Sequence, residues 1–220
     1  MPGEFVRENV VTFRLEARGL ACERDDRWLF RDLDIGVGPG DVVRVEGPNG
    51  SGKTTLLKLL AGQLPLQGGE LCWNGDSLRR ARPAFLANLL YLGHAPGIKP
   101  ALNALENLAW YQALHGEPGS HRARLAALET LGLAGFEEVP AAQLSAGQQR
   151  RIALARLTLS PRLLWILDEP FTAIDRQGVA ALEDALWNHA AAGGAVLLTT
   201  HHELHARGAL TRVDLSKAGD

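Results

Sequence analysis

The chain has 220 residues, of which 46% are hydrophobic and 22% charged, with a formal net charge of -2. This composition is typical of one globular domain with a buried core, and the near-zero net charge gives no electrostatic case for a nucleic-acid partner. No stretch approaches the roughly 20 apolar residues of a membrane-spanning helix, and the N-terminus does not resemble a secretory signal. We therefore expect a protein that stays on the cytosolic side and reaches a membrane only through a partner.

The first third of the chain is rich in strand patterns. Two β-like runs, residues 11–23 and 27–40, flank a charged turn and predict an antiparallel hairpin. A third strand over residues 41–47 ends at a glycine-rich loop. A helix over residues 53–62 follows that loop and is closed by a glycine.

The middle and end of the chain alternate between helical and strand patterns. Asn74-Gly75 predicts a second hairpin, and residues 88–94 predict a short strand. From residue 102 to about residue 159 the apolar positions follow a helical period. The strand pattern returns at residues 162–170, and a helix and an apolar strand come after it. Near-continuous apolar strands separated by helices predict a parallel sheet buried on both faces, with a helical insertion.

The sequence GPNGSGKT, residues 47–54, carries the strongest chemical signal. It matches G-x-x-x-x-G-K-[ST] and has the strand before it and the helix after it that a phosphate-binding loop requires, beyond a simple glycine-rich turn. We expect Lys53 to hold the β- and γ-phosphates and Thr54 to offer its hydroxyl group to Mg2+. The predicted phosphate-binding residues are Gly47, Pro48, Asn49, Gly50, Ser51, Gly52, Lys53, Thr54 and Thr55.

Two adjacent carboxylates, Asp168 and Glu169, end a buried strand pattern. Such groups are costly near a core unless they have a use. Asp168 can hold Mg2+ through water, and Glu169 can polarise the water that attacks the γ-phosphate. Alone the pair is also typical of a helix cap, but the phosphate loop upstream favours the catalytic role.

A third motif, LSAGQ, begins a predicted helix. Ser145 is in the N-cap position, and the small Ala146 and Gly147 would let a ligand reach the helix start. A capping turn alone also accounts for Ser145.

These motifs together resemble those of the ATP-binding-cassette (ABC) ATPases, over essentially the full chain. GPNGSGKT is similar to the Walker A motif, LSAGQ to the family signature and LLWILDEP to the Walker B motif. TAID, residues 172–175, is similar to the D-loop, and TTHH, residues 199–202, to the switch-histidine motif. The resemblance implies an α/β P-loop NTPase fold with a RecA-like parallel-sheet core, an antiparallel β-subdomain and a helical subdomain.

The resemblance also implies a division of the chain. Residues 1–220 would form a single ABC ATPase domain. Its catalytic core and β-subdomain would occupy approximately residues 11–93 and 160–220. Residues 94–159 would hold the Q-loop and the helical subdomain, ending in the signature helix.

In this family two subunits dock head to tail and sandwich two ATP molecules, so the resemblance implies a homodimer on ATP binding. Lys53, Glu169 and His201 would be catalytic, with His201 as the switch histidine, and Asp175 would belong to the D-loop. The signature residues that would contact ATP in trans are Leu144, Ser145, Ala146, Gly147 and Gln148.

A metal site built from His201, His202 and His205 is a further interpretation of the sequence HHELH. Its spacing differs from HExxH, and the family role already accounts for His201.

Two positions depart from the family pattern. His94 lies where most members have the Q-loop glutamine, which reaches Mg2+ and the attacking water and links the site to a membrane partner. The aromatic residue that stacks on adenine would fall near Arg24, so we expect either Arg24 or the nearby Trp28 to lie on the purine. An exposed charged turn is the alternative interpretation of Arg24.

With these departures the chain resembles the subgroup of ABC ATPases that serves cytochrome c maturation. The resemblance implies ATP and Mg2+ as cofactors and an integral-membrane partner like CcmB, with CcmC, CcmD and the haem chaperone CcmE in the wider complex. The subunit would be peripheral, on the cytoplasmic face of the inner membrane. Hydrolysis would drive haem handling or export, or release of the chaperone. An ATPase of another ABC exporter and a soluble non-transport ABC ATPase remain as alternatives.

Overall fold

The computed structural model describes residues 12–117, 119–205 and 207–216. Most of the N-terminal segment compared with a secretory signal, residues 1–13, lies outside these ranges. The strands are β1 (Leu15–Arg24), β2 (Arg27–Val37), β3 (Val42–Glu46), β4 (Gly68–Trp73), β5 (Asp76–Ser77), β6 (Leu89–Leu92), β7 (Leu164–Asp168), β8 (Ala195–Thr199) and β9 (Leu210–Asp214). The α-helices are α1 (Lys53–Leu60), α2 (Leu78–Asn88), α3 (Ala104–Leu114), α4 (His121–Thr130), α5 (Ala146–Leu159) and α6 (Arg176–Ala191).

A five-stranded parallel sheet forms the centre of the molecule, with strand order β6-β7-β8-β3-β9. Every residue of β7 and β8 is buried. Such strands need apolar residues on both faces, and their sequences LWILD and AVLLT supply them up to the terminal polar residue. The predicted parallel sheet is confirmed.

A second, antiparallel sheet has the order β2-β1-β4-β5. The β1–β2 hairpin turns at Asp25 and Asp26, which have φ values of 54° and 55°, and the β4–β5 hairpin turns at Asn74 and Gly75. Short polar residues and glycine tolerate this left-handed conformation, which is why both turns were predictable. Helix α1 lies in the core that the two sheets share.

The helical part of the chain packs on the other face of the parallel sheet. Apolar residues of α3, α4, α5 and α6 share a core with β6, β7 and β8. Helix α3 begins with a capping box between Asn103 and Glu106. Helix α2 was not predicted, because it contains Pro83 and buries only Phe85. Within the described ranges, no helix has the length and hydrophobicity needed to cross a membrane.

Candidate active site

The phosphate loop joins β3 to the start of α1. Gly52 caps the helix with a φ of 95°, and a Cβ atom there would lie only 3.0 Å from Leu29 Cβ. A side chain would therefore be strained by its backbone and crowded by β2. Lys53 Nζ donates hydrogen bonds to the carbonyl oxygens of Gly47 and Pro48, at 2.7 and 3.1 Å. The lysine thus lies across the loop that it is predicted to serve.

An open pocket of about 460 Å³ lies against this loop. It gathers most of the predicted site from distant parts of the chain, including both carboxylates and two histidines. Its lining residues are Arg24, Leu29, Asn49, Gly50, Gly52, Lys53, Thr54, Thr55, His94, Asp168, Glu169, Thr172 and His201. Trp28, Asp175 and the signature residues do not line it.

Among the described residues, only one of the two carboxylate oxygens of Asp168 has a hydrogen-bond partner. The residue is 2% exposed, and its Oδ1 accepts a hydrogen bond of 2.7 Å from Thr199 Oγ1 on the neighbouring strand. Oδ2 is buried and has no hydrogen-bond partner among the described residues. A buried carboxylate oxygen without a partner is costly unless a ligand satisfies it. An oxygen-seeking cation such as Mg2+ fits here, with Thr54 lining the same pocket.

The phenol group of Tyr91 lies close enough to Asp168 to be affected by its charge. Burial, followed by the nearby negative charge of Asp168, raises the pKa of the Tyr91 phenol to about 12. The phenol therefore keeps its proton at neutral pH, and its oxygen is buried without a hydrogen-bond partner among the described residues.

The backbone of Glu169 is in a strained conformation, with a φ of 48°. A non-glycine residue in this region costs on the order of 1–3 kcal/mol, so its surroundings must hold it there. The Glu169 N–H donates to Thr199 Oγ1 at 3.0 Å, and its carbonyl accepts from the Thr172 N–H at 3.2 Å. The Glu169 side chain is partly exposed, with Oε1 3.6 Å from His201 Nε2. In this backbone conformation the Glu169 carboxylate lies at the pocket, beside the predicted switch histidine.

Arg150 ties three parts of the site together. Its guanidinium donates to the carbonyl oxygens of Gly93 (2.7 Å), His94 (3.3 Å), Asp168 (2.8 Å) and Glu169 (3.0 Å). The residue is only 5% exposed. Burial lowers the pKa of the guanidinium, and the charge of Asp168 partly opposes that effect.

From the sequence alone, no role was assigned to Arg150, nor to Thr199 within the TTHH motif. Arg150 has a detectable signal, because it lies three to four residues before Ala153 and Leu154, on a buried face of α5. A charged residue on an apolar helix face is costly without partners. Thr199 has a weaker signal, as one polar residue in an otherwise apolar strand.

His94 lies in the loop that follows β6, at the edge of the pocket. Helix α5 holds this loop through Arg150 and through Arg156, which donates to the Pro96 carbonyl oxygen. The Arg156 guanidinium also lies over the Tyr111 ring, 4.5 Å from its centroid. A second open cavity of about 470 Å³ runs along the same loop. His94 therefore lines both the nucleotide-sized pocket and this second cleft, and Thr54 and Asp168 also line both.

At the other end of the pocket, Arg24 and Leu29 form the lining. The Arg24 side chain is 74% exposed, and its Nε lies 3.5 Å from Asp25 Oδ2. Trp28 precedes Leu29 in β2, so its side chain leaves the opposite face of the strand. The Arg31 guanidinium lies over the Trp28 ring at 5.5 Å.

The signature segment forms the start of α5. Ser145 Oγ accepts from the Gln148 N–H at 3.2 Å, and Gln148 Oε1 accepts from the Ser145 N–H at 2.9 Å, which completes a capping box. A Cβ atom at Gly147 would lie 2.5 Å from the carbonyl oxygen of Ala173, so only glycine fits. Asp175 caps α6 and accepts from Arg151 at 3.0 Å. The signature and D-loop segments therefore contact each other within the chain.

Comparison with known families gives one match that covers most of the chain. The model of the ABC transporter family matches residues 30–172, a range that includes the phosphate loop, the signature and both carboxylates.

Two relatives are named cytochrome c biogenesis ATP-binding export protein CcmA, and a third carries the same name with the ending CcmA 1. The protein of Hahella chejuensis is 57% identical over 91% of this chain and 95% of its own length. That of Pseudomonas putida is 56% identical over 90% and 93%, and that of Salmonella typhimurium is 56% identical over 86% and 90%.

Solved structures agree with the fold. An ABC transporter ATP-binding protein from Pyrococcus furiosus superposes with a TM-score of 0.81 at 24% identity, over 94% of this chain and all of its own. A dimeric ATP-binding cassette in a post-hydrolysis state, bound to ADP and phosphate, superposes with a TM-score of 0.73 at 20% identity, over 86% and 88%. The P-loop ABC ATPase fold is confirmed. The chain is an ATP-hydrolysing subunit of the ABC transporter family and groups within it with the CcmA proteins.

Proposed function

We propose that this chain hydrolyses ATP within a membrane complex for cytochrome c biogenesis, and that it couples hydrolysis to haem export or handling, or to release of a haem chaperone. One observation carries the proposal. A single pocket unites the phosphate loop, Asp168, Glu169 and His201 in a chain that is 57% identical to a cytochrome c biogenesis ATP-binding export protein.

The roles follow from the chemistry of phosphoryl transfer. Backbone N–H groups of the phosphate loop and Lys53 bind the phosphate groups. Thr54 and Asp168 hold Mg2+, which when bound neutralises charge on the transferred group. Glu169 polarises the attacking water, and His201 contacts the γ-phosphate beside it. The short distance between Glu169 and His201, 3.6 Å, supports joint action on one group.

We further propose that two copies complete the site. The signature segment lies outside the pocket of its own chain, and this supports a role at a second copy's nucleotide. Residues Leu144 to Gln148 would then contact ATP in trans, with Asp175 at the interface. The N-terminus of α5 would offer its positive dipole end and the first N–H groups of the helix to such a ligand.

The partner in the membrane would bind at the cleft beside His94. Residues 94–159 would form the subdomain that carries this surface and the signature helix. The partner class is an integral-membrane subunit like CcmB, with CcmC, CcmD and the chaperone CcmE in the wider complex, and the subunit would lie on the cytoplasmic face of the inner membrane. The cavity along the loop and the two arginines that fix the loop support a docking role.

Glu169→Gln tests the proposal. The amide keeps the shape of the side chain but is a poor base, so ATP hydrolysis should fall at least about 100-fold while ATP binding persists. Phosphate release and nucleotide binding would be measured on the subunit co-purified with its membrane partner. The expected dimer would be followed by size-exclusion chromatography with light scattering.

Glu138→Gln, at an exposed site remote from the pocket, is the matched control and should hydrolyse ATP normally. Rapid turnover by Glu169→Gln would contradict the assigned role of Glu169. Loss of hydrolysis without loss of haem attachment to c-type cytochromes in cells would contradict the cytochrome role alone.

A further inference from the structure

The histidines that follow the switch position form a cluster of their own. His202 Nε2 lies 2.9 Å from Glu183 Oε1, and His205 Nδ1 lies 3.0 Å from Glu183 Oε2. One ligand atom from each of the three residues lies within 4.8 Å of the others. His201 is directed elsewhere, to Glu169 in the pocket. The set His201, His202 and His205 suggested by the sequence is thus divided, and a carboxylate from α6 takes the place of His201.

The burial and direction of the Glu183 carboxylate suit it to bind a metal ion. Glu183 is only 4% exposed, and its Oε1 also lies 3.3 Å from the His205 N–H. Burial limits the movement of this side chain, and its two oxygens face the two imidazole rings.

The imidazole groups of His202 and His205 differ in how closely the fold packs against them. His202 packs on Phe171, with ring centroids 4.7 Å apart, and its backbone N–H donates to Thr200 Oγ1 at 2.9 Å. The His205 side chain is 81% exposed. One imidazole is thus held in place by the fold, while the other can adjust and leaves the cluster open to water.

We infer that Glu183, His202 and His205 form a binding site for Zn2+. Two imidazole nitrogens and one carboxylate oxygen, with a fourth position open to water, match the ligand set of open zinc sites. Imidazole ligands favour Zn2+ over Mg2+ or Ca2+, which prefer oxygen.

The spacing of the ligand atoms supports this assignment. Bond lengths of about 2.0–2.1 Å in a tetrahedral site place ligand atoms about 3.3 Å apart. Glu183 Oε1 lies 2.9 Å from His202 Nε2 and 3.4 Å from His205 Nδ1, so only a small movement, which the exposed His205 allows, is needed to reach this spacing.

A bound ion would join α6 to the segment that directly follows the switch histidine. Because an ion that binds only the folded chain stabilises it, Zn2+ should raise the unfolding temperature. The three residues do not line the nucleotide pocket, so Zn2+ binding can be measured without nucleotide.

The test measures Zn2+ binding by the full chain, produced without a polyhistidine tag and first depleted of metal. Competition with a chromophoric zinc chelator gives the number of bound ions and their affinity. The wild type should bind one more Zn2+ ion per chain than His205→Ala and Glu183→Gln, or bind it at least tenfold more tightly. His121→Ala removes an exposed histidine at the start of α4, and should leave binding unchanged.

His205→Ala changes an exposed side chain and should fold normally, which circular dichroism would check. Equal stoichiometry and affinity in the wild type and His205→Ala would overturn the site, because the ion would then lie elsewhere, for example at His94 and His201. Absence of Zn2+ binding by the wild type would also overturn it, and would leave the cluster as a hydrogen-bonded triad only.

Discussion

The two ends of the pocket are built in different ways. At the phosphate end, Asp168 and Glu169 are fixed by Thr199 and Arg150, and both of these residues are buried. At the other end, Arg24 projects from the last position of β1 with most of its side chain in solvent. Phosphate chemistry needs positions fixed to within a fraction of an ångström, whereas a purine face accepts many flat or apolar partners. The difference indicates that the fold fixes the side chains at the phosphate end, where bonds change, more firmly than Arg24 at the other end.

The largest effect should come from Arg150→Met. This change keeps the stem of the side chain but removes the donors to the carbonyl oxygens of Gly93, His94, Asp168 and Glu169. Buried acceptors that lose a charged donor are costly, so we expect a loss of about 3 kcal/mol in the free energy of unfolding and of nearly all ATPase activity. Urea denaturation and phosphate release would measure both.

Arg122→Met, on the exposed side of α4, is the control and should change neither quantity. Normal stability together with normal activity in Arg150→Met would show that the phosphate end is not fixed in the way described.

Thr199→Val should have a smaller effect, since the two side chains have nearly the same shape. The change removes the hydroxyl that donates to Asp168 Oδ1 and accepts from the Glu169 N–H. We expect a loss of about 2 kcal/mol in stability and a fall in kcat of about 10- to 100-fold, because the partners of a metal-binding carboxylate orient it. Thr199→Ser keeps the hydroxyl and should restore most of kcat. Equal kcat values for valine and serine would contradict the orienting role.

The smallest effects should appear at the other end of the pocket. Arg24→Ala should weaken ATP binding about threefold, as expected for an exposed cation over an aromatic face. Trp28→Ala should have little effect, because Leu29, and not Trp28, lines the pocket. Titration with a fluorescent ATP analogue would compare the two variants directly. A greater loss of affinity from Trp28→Ala would reverse the assignment at this end.

Sequence patterns predicted the elements whose causes are local. The two hairpins depend on turn residues such as Asn74 and Gly75, and the helix after the phosphate loop begins where its glycines end. The parallel sheet was predictable because β7 and β8 are apolar on both faces. Helix α2 has no such pattern, since it lies on the surface and contains a proline.

The connections within the site could not be predicted in the same way. Arg150 reaches carbonyl groups 57 and 18 residues away in the chain, and Thr199 reaches a carboxylate 31 residues away. No spacing in the sequence encodes such contacts, because they depend on which strands become neighbours in the sheet. Glu183 is a similar case, since only the fold brings α6 beside His202.

The cap at the start of α5 has a consequence for any ligand that approaches it. Ser145 Oγ uses a lone pair to accept from the Gln148 N–H, and that leaves the hydroxyl proton available. One oxygen can thus keep the first turn wound and still donate to an incoming anion. An aspartate in its place would cap the helix equally well but would repel the anion. Of these two capping residues, only serine both caps the helix and can donate a hydrogen bond to an anion.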